Sequence, residues 1–285
     1  MIKTLISSAL VLILFCSPVL ARWTEPVPLN EVNTESTGEG WAFLSFDGLT
    51  LYFARWGIES QYPLSGGGGI SINHFQQMYQ AKRSNRFGIF TSVTQIDELA
   101  FIGGHVHSAW VSPDNLRMYF LRTEPGSVWR IKESTRQTES SPWESPRNLT
   151  ELNNLGDVGN PKLSCDELSI VFNVYKDESI GSLYTANRSD CNAVFTNIRE
   201  VIELNSSDVR AQYLTPEGLT LYFARNDNGV FHNYKSTRPS TNSYFGKPEL
   251  LNNWSENFSP CCFSLDGEIA YLYKDSDIYV SFYLK

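Results

Sequence analysis

Metal-ligating and redox-active side chains are scarce in this sequence: 4 His, 5 Cys and 3 Met among 285 residues. So few cysteines cannot carry a disulfide-built fold, and with no CxxC pair a structural zinc site is not indicated. Charge is also sparse, at 19% of residues, and acidic side chains outnumber basic ones by 31 to 23, a net charge of −8. Nucleic-acid binding needs a basic footprint, so that class is excluded. No segment shows the apolar period of an amphipathic helix, which argues against a helical solenoid. Beyond residue 21 no apolar run is long enough for a membrane-spanning helix. Aromatic residues, in contrast, are plentiful: 17 Phe, 14 Tyr and 7 Trp, with 19 Gly and 13 Pro. With 41% hydrophobic residues, this composition predicts short strands, many turns and a sizeable core, and excludes a disordered protein.

The first 21 residues read as a segment apart. Lys3 supplies a positive charge, Leu5 to Leu20 is an almost unbroken apolar stretch, and Val19 and Ala21 are the small residues of a cleavage site. This predicts a signal peptide, residues 1–21, and a secreted or periplasmic mature chain, residues 22–285, forming a single domain. Such a compartment permits disulfides. Cys165 and Cys191 fall within one repeat unit and are candidates for a bridge, whereas the adjacent Cys261 and Cys262 read as buried thiols.

Internal repetition is the strongest signal. Five segments share one pattern: Ser45–Phe53, Ser112–Phe120, Ser164–Phe172, Thr215–Phe223 and Ser264–Leu272. Each has an acidic residue at its third position, at 47, 114, 166, 217 and 266, so the spacings are 67, 52, 51 and 49 residues. Asp-Gly between apolar runs is a hairpin signal, because glycine supplies the positive φ the turn needs. Asn115 is an expected substitute, and Glu167 a departure that weakens its turn. The aromatic run after each turn predicts a buried strand. A further strand follows in each unit, at Met78–Arg83, Val128–Lys132, Leu183–Arg188, Asn233–Arg238 and Ile278–Ser281. An outer strand is expected near Phe87, Trp143, Phe195 and Phe245. With the strand before the turn this makes four per unit. The fifth unit ends before its outer strand, and the segment Trp23, Pro26, Leu29 matches Trp143, Pro146, Leu149 in spacing. The expectation is therefore an all-β, five-bladed β-propeller of four-stranded antiparallel blades, its last blade closed by the N-terminal strand.

The pattern Ser-x-Asp-Gly-x-x-Leu-Tyr-Phe, followed by a Leu-Tyr-x-Ala-x-Arg strand, resembles the WD40-like propeller repeat of TolB-type bacterial exported proteins. The resemblance covers nearly all of residues 22–285. It implies the fold and leaves function open, since such repeats occur in protein-binding scaffolds, envelope components and carbohydrate-active enzymes.

In a propeller the strand before each turn is the innermost one and begins at the channel rim. Counting back from the acidic position, the ninth residues are Gly38, His105, Asp157, Asp208 and Asn257. The eighth are Glu39, Val106, Val158, Val209 and Phe258, a mostly apolar row. The seventh are Gly40, His107, Gly159, Arg210 and Ser259, and the fifth are Ala42, Ala109, Pro161, Gln212 and Cys261. Period-two alternation places the ninth, seventh and fifth on one side, as a tapering channel with a polar mouth. His105, His107, Asp157, Asp208 and Arg210 are then expected to converge as ligand-binding residues. No cofactor is implied other than a divalent metal, which His105 and His107 would hold with Asp157 or Asp208. The repeated acids Asp47, Asp114, Asp166 and Asp266 read as turn formers on the opposite face. Blade one is longer by about fifteen residues, in a loop expected to overhang the mouth, with Trp56 and Tyr62 as stacking candidates and four successive glycines giving it mobility.

Two readings follow. One is a binding or scaffold protein that recognises a protein or carbohydrate ligand at the mouth. The other is a glycoside hydrolase or polysaccharide lyase, for which Asp157 and Asp208, with Glu39 nearby, are the catalytic candidates.

Overall fold

The computed structural model describes residues 22–63, 70–101, 103–124, 128–177, 180–205, 207–254 and 257–285, with side chains except at 58–63, 70–74 and 177. The expected signal peptide lies outside the described residues.

Each blade begins with the same local chemistry at its turn. In blade one, Ser45 Oγ donates to Asp47 Oδ1 at 2.6 Å, the Leu49 N–H donates to the same oxygen at 2.9 Å, and the Thr50 N–H donates to Ser45 Oγ at 2.9 Å. The clasp recurs at Ser112 and Asp114, Ser164 and Asp166, and Ser264 and Asp266. Blade four keeps the hydroxyl half, with Thr215 Oγ1 accepting from the Thr220 N–H. These acids are turn formers. The next residue has a positive φ in every blade: Gly48, Asn115, Glu167, Gly218 and Gly267. At Glu167 that conformation costs roughly 1–2 kcal/mol. Its side chain offsets the strain by accepting from Tyr119 Oη at 2.9 Å and Arg188 Nη2 at 3.2 Å, which ties blade three to blade two.

A second device closes blades one to four. Arg83, Arg136, Arg188 and Arg238 donate through Nε to the carbonyls of Gly48, Asn115, Glu167 and Gly218, at 2.7 to 2.8 Å. Their guanidinium groups lie 4.3 to 4.6 Å from the ring centres of Phe90, Trp143, Phe195 and Phe245. In blade one the ring that anchors the outer strand is therefore Phe90; Phe87, expected from sequence, is 76% exposed.

The blades are Glu39–Leu44, Thr50–Pro63, Ile70–Lys82 and Ser92–Gln95; Val106–Val111, Arg117–Glu124, Val128–Thr135 and Arg147–Asn148; Asp157–Leu163, Ser169–Asp177, Ile180–Asn187 and Thr196–Glu200; and Val209–Leu214, Thr220–Asp227, Val230–Thr237 and Glu249–Leu250. The fifth joins Ser259–Phe263, Ile269–Lys274 and Asp277–Leu284 to Arg22–Trp23 and Val27–Pro28. Trp23 pairs with Tyr283 and Val27 with Val280, so the N-terminal segment closes the ring. Tyr283 occupies the place of the arginine, and its ring meets Trp23 at 5.4 Å. The result is a five-bladed β-propeller. Among the described residues no helix is long and apolar enough to cross a membrane.

Two features shape the channel. Each innermost strand carries a bulge midway, between Gly40 and Phe43, His107 and Trp110, Gly159 and Lys162, Ala211 and Tyr213, and Pro260 and Cys262. In blades one to three the bulged residue, Trp41, Ser108 or Asn160, has a positive φ of 50 to 58°. The extra residue resets the alternation, so the side-chain phase at the rim does not continue inward. Below the bulge, Phe43, Trp110, Tyr213 and Phe263 from four blades fill the channel around a void of about 10 Å³. Of the row expected to taper inward, Ala42, Gln212 and Cys261 line the space above, and an aromatic floor closes the channel beneath them.

The blade-one insertion is a paired hairpin stem. Ile58 pairs with Phe75 and Pro63 with Ile70. Tyr62 pairs with Ser71 through the backbone; its side chain and the glycines at 66–69 lie outside the described residues.

Candidate functional site

Above the aromatic floor lies a cavity of about 310 Å³, lined by Trp41 and Tyr273 on one side and by Asn160, Lys162, Arg210 and Gln212 on the other. Trp41 is the bulged residue of blade one, and its positive φ turns the indole to the rim. Its ring centre is 6.1 Å from that of Tyr273 and 4.6 Å from that of His107. Gly40 leaves the space for Tyr273, whose ring carbons lie 3.1 Å from where a Cβ would stand. The rings continue outward: His107 is 5.0 Å and His105 5.6 Å from Trp129, and His105 is 5.5 Å from Trp56. Apart from the buried His107, these rings are half-exposed. They form an aromatic rim over blades one, two and five.

The opposite wall is polar and cationic. Gln212 Nε2 donates to Asn233 Oδ1 at 2.9 Å, and Gln212 Oε1 is buried without a partner among the described residues. Asn160 Nδ2 donates to Asn173 Oδ1 and Tyr175 Oη, both at 3.1 Å. Arg210 Nη2 donates to Asp208 Oδ2 at 2.8 Å, and its guanidinium lies 4.7 Å from the Phe231 ring centre. Lys162 is 8% exposed. Burial pushes its ammonium down from 10.5 to about 8, and only the Cys261 and Cys262 thiols act on it in the other direction. Burial raises Cys261 to about 11, so this thiol is neutral at physiological pH. Among the described residues no carboxylate lines the cavity.

The residues singled out by sequence are distributed among three places. Arg210 lines the cavity. Trp56, His105 and His107 belong to the aromatic rim. Burial lowers His105, and lowers His107 to about 3, with His105 and Lys162 adding to the effect on His107. The neutral His107 ring shares a hydrogen bond of 2.8 Å with Ser108 Oγ. Asp157 and Asp208 stand between blades. Asp157 Oδ1 accepts from the Trp129 N–H at 3.1 Å, and Asp208 Oδ1 from the Gly181 N–H at 2.9 Å. His105 does the same through Nδ1, accepting from the Gln76 N–H at 3.3 Å. The ninth residue before the turn thus joins each of these blades to the third strand of the one before. Glu39 is buried against Arg55 Nε at 2.8 Å and the Thr34 and Thr37 hydroxyls. Among the described residues no three His, Cys, Asp or Glu side chains gather in a group suited to a metal ion. Cys165 and Cys191 are free thiols, and Cys191 Sγ points to the Asp166 carbonyl at 3.5 Å, so the bridge expected between them is not formed here.

Lys162 and Trp41 escaped the sequence reading because strict alternation skips the fourth and sixth residues before the turn, and Tyr273 because it stands on the second strand of blade five, outside the rows counted. A signal was nonetheless present. The fourth residues are Phe43, Trp110, Lys162, Tyr213 and Cys262, and a lysine in that row breaks the pattern.

No protein-family model matches the chain, and no curated protein matches it in sequence. Solved structures do resemble it. A family 117 glycoside hydrolase of Zobellia galactanivorans superposes with a TM-score of 0.61 at 8% identity, over 92% of this chain and 90% of that one. β-1,2-Mannobiose phosphorylase from Listeria innocua gives 0.57 at 10% identity, over 93% and 97%. TolB from Acinetobacter baumannii gives 0.54 at 14% identity, over 89% of this chain and 56% of that one. At such identities the likeness is one of fold.

Proposed function

We propose that this protein is an exported propeller that binds a carbohydrate in the cavity at the channel mouth. The observation that carries the reading is the cavity itself, with aromatic faces on one side and amide and cationic groups on the other. Its volume of about 310 Å³ sits at the lower end of the range for small-molecule sites, roughly 300–1,000 Å³. Sugars suit such walls: their C–H faces pack on Trp41 and Tyr273, and their hydroxyls reach acceptors such as Gln212 Oε1. Sugar-active propellers among the structural neighbours are consistent with this use of the fold, and the leader-like residues 1–21 support export.

Binding fits the site better than hydrolysis. Glycosidase chemistry needs two carboxyls roughly 5–9.5 Å apart across the scissile bond. Asp157, Asp208 and Glu39 are engaged in backbone and side-chain hydrogen bonds, and none lines the cavity. The test is calorimetric titration of the mature protein with a panel of defined oligosaccharides, alongside an assay for their turnover. Saturable binding without turnover, weakened about tenfold or more by Trp41→Ala, is the expected result. Absence of binding across the panel would refute the reading.

A further inference from the structure

We propose that the cavity selects an acidic sugar and seats the sugar's anionic group against Lys162. The inference rests on the carbohydrate reading and deepens it. Four of the five blades place Phe43, Trp110, Tyr213 and Cys262 at the fourth position before the turn, and blade three places a lysine there. The substitution puts an ammonium group in the cavity wall of a molecule whose net charge is −8.

A buried cation is ordinarily paired, because its charge is costly to desolvate. Buried Arg188 has Glu167 at 3.2 Å, and Arg55 has the buried Glu39 at 2.8 Å. Lys162 has no such partner among the described residues, and its neighbours Cys261 and Cys262 are thiols raised by burial away from their anionic form. The exposed Arg210 guanidinium shares the wall but is already engaged by Asp208. Lys162 is therefore the cation that a ligand would complete. The matching group is a singly charged anion on a ring that also packs on Trp41 and Tyr273. A uronate carboxylate and a sulfate ester share that chemistry.

The experiment titrates the protein with three trisaccharides: an oligouronide, the same oligomer with its carboxyls reduced to alcohols, and a neutral oligomer of matched linkage bearing one sulfate ester. Tenfold or tighter binding of one acidic form over the reduced form, lost in Lys162→Met and in Lys162→Gln so that the two forms then bind alike, supports the proposal. The sulfated oligomer is otherwise neutral and carries its one charge on the ester, so comparison of uronate with sulfate identifies the anion. Because the acid preference is measured on the unaltered protein, the test holds even if a variant fails to fold. Equal binding of acidic and neutral forms would overturn acid selection and leave the carbohydrate reading intact. Binding of acetate or citrate but of no saccharide, or of nothing at all, would overturn both.

Discussion

Two residues near the cavity tie pH to stability in opposite ranges. Lys162 is held at about 8 against 10.5 in the unfolded chain. The unfolded form thus binds this proton more tightly, and stability gains as pH rises from about 8 to 10.5. The shift corresponds to about 3 kcal/mol that the charged lysine costs the fold below that range. Lys162→Met is accordingly expected to raise the thermal midpoint at pH 7 and to flatten the alkaline gain, as followed by circular dichroism. His107 is held at about 3 and is neutral in the native state. As pH falls from 6.5 towards 3, the unfolded chain takes up a proton that the native state refuses, and stability is lost. Urea midpoints at pH 7, 5 and 4 should show a shallower acid decline for His107→Gln; an unchanged slope would mean that another group governs it. Lysine in an aromatic row is the kind of local inconsistency that marks function, since a residue serving only the core would be apolar. That anomaly was visible in the sequence, but the direction of the side chain was not.

Within the blades, stability comes from devices that recur in four of the five units. Asn115 and Glu167 both occupy the positive-φ position, yet they should respond differently to glycine. Asn115→Gly relieves strain and loses only a 3.3 Å contact with Asp47, so a change within about 0.5 kcal/mol is expected. Glu167→Gly relieves the same strain but strips Arg188 and Tyr119 of their acceptor. Breaking such a buried pair costs roughly 3–5 kcal/mol, and chemical denaturation should register a net loss of about 2 kcal/mol or more. Equal effects at the two positions would mean that the Glu167 cluster adds nothing. The turns and their aromatic strands were legible because Ser, Asp, Gly and the Tyr-Phe pair each act through contacts a few residues apart. The bulges were not, because Trp41 and Ser108 do not announce a positive φ, and Asn160, which tolerates one, belongs to no repeated pattern. One unforeseen residue in each strand was enough to bring the sixth and fourth positions, Trp41 and Lys162, to the cavity beside the expected Ala42, Gln212 and Cys261.

For the whole molecule, the decisive contact joins the ends of the sequence. Thr24 donates its N–H to the Phe282 carbonyl, and Asn33 exchanges hydrogen bonds with Ile278 through its side-chain amide. Removing residues 22–30 would open one edge of blade five and expose the surface under Leu29 and Trp23. The thermal midpoint is expected to fall by about 10 °C or more, with aggregation on heating; an unaltered midpoint would mean that the ring does not depend on its closing strand. This closure was readable because Trp23, Pro26 and Leu29 repeat the spacing of Trp143, Pro146 and Leu149, and equal spacing places equal side chains on equal backbone sites. The mouth was only partly readable for the complementary reason. Acids and imidazoles signal chemistry by their identity, whereas in a propeller the gaps between blades need polar groups too, and Asp157 and Asp208 meet that need.

A crystal structure of the mature protein with a bound acidic trisaccharide is the most direct measurement. A sugar ring packed on Trp41 and Tyr273, with its anionic group within about 3 Å of Lys162 Nζ, is the predicted result. A ligand bound away from the cavity, or seated there with its charge turned from Lys162, would contradict it.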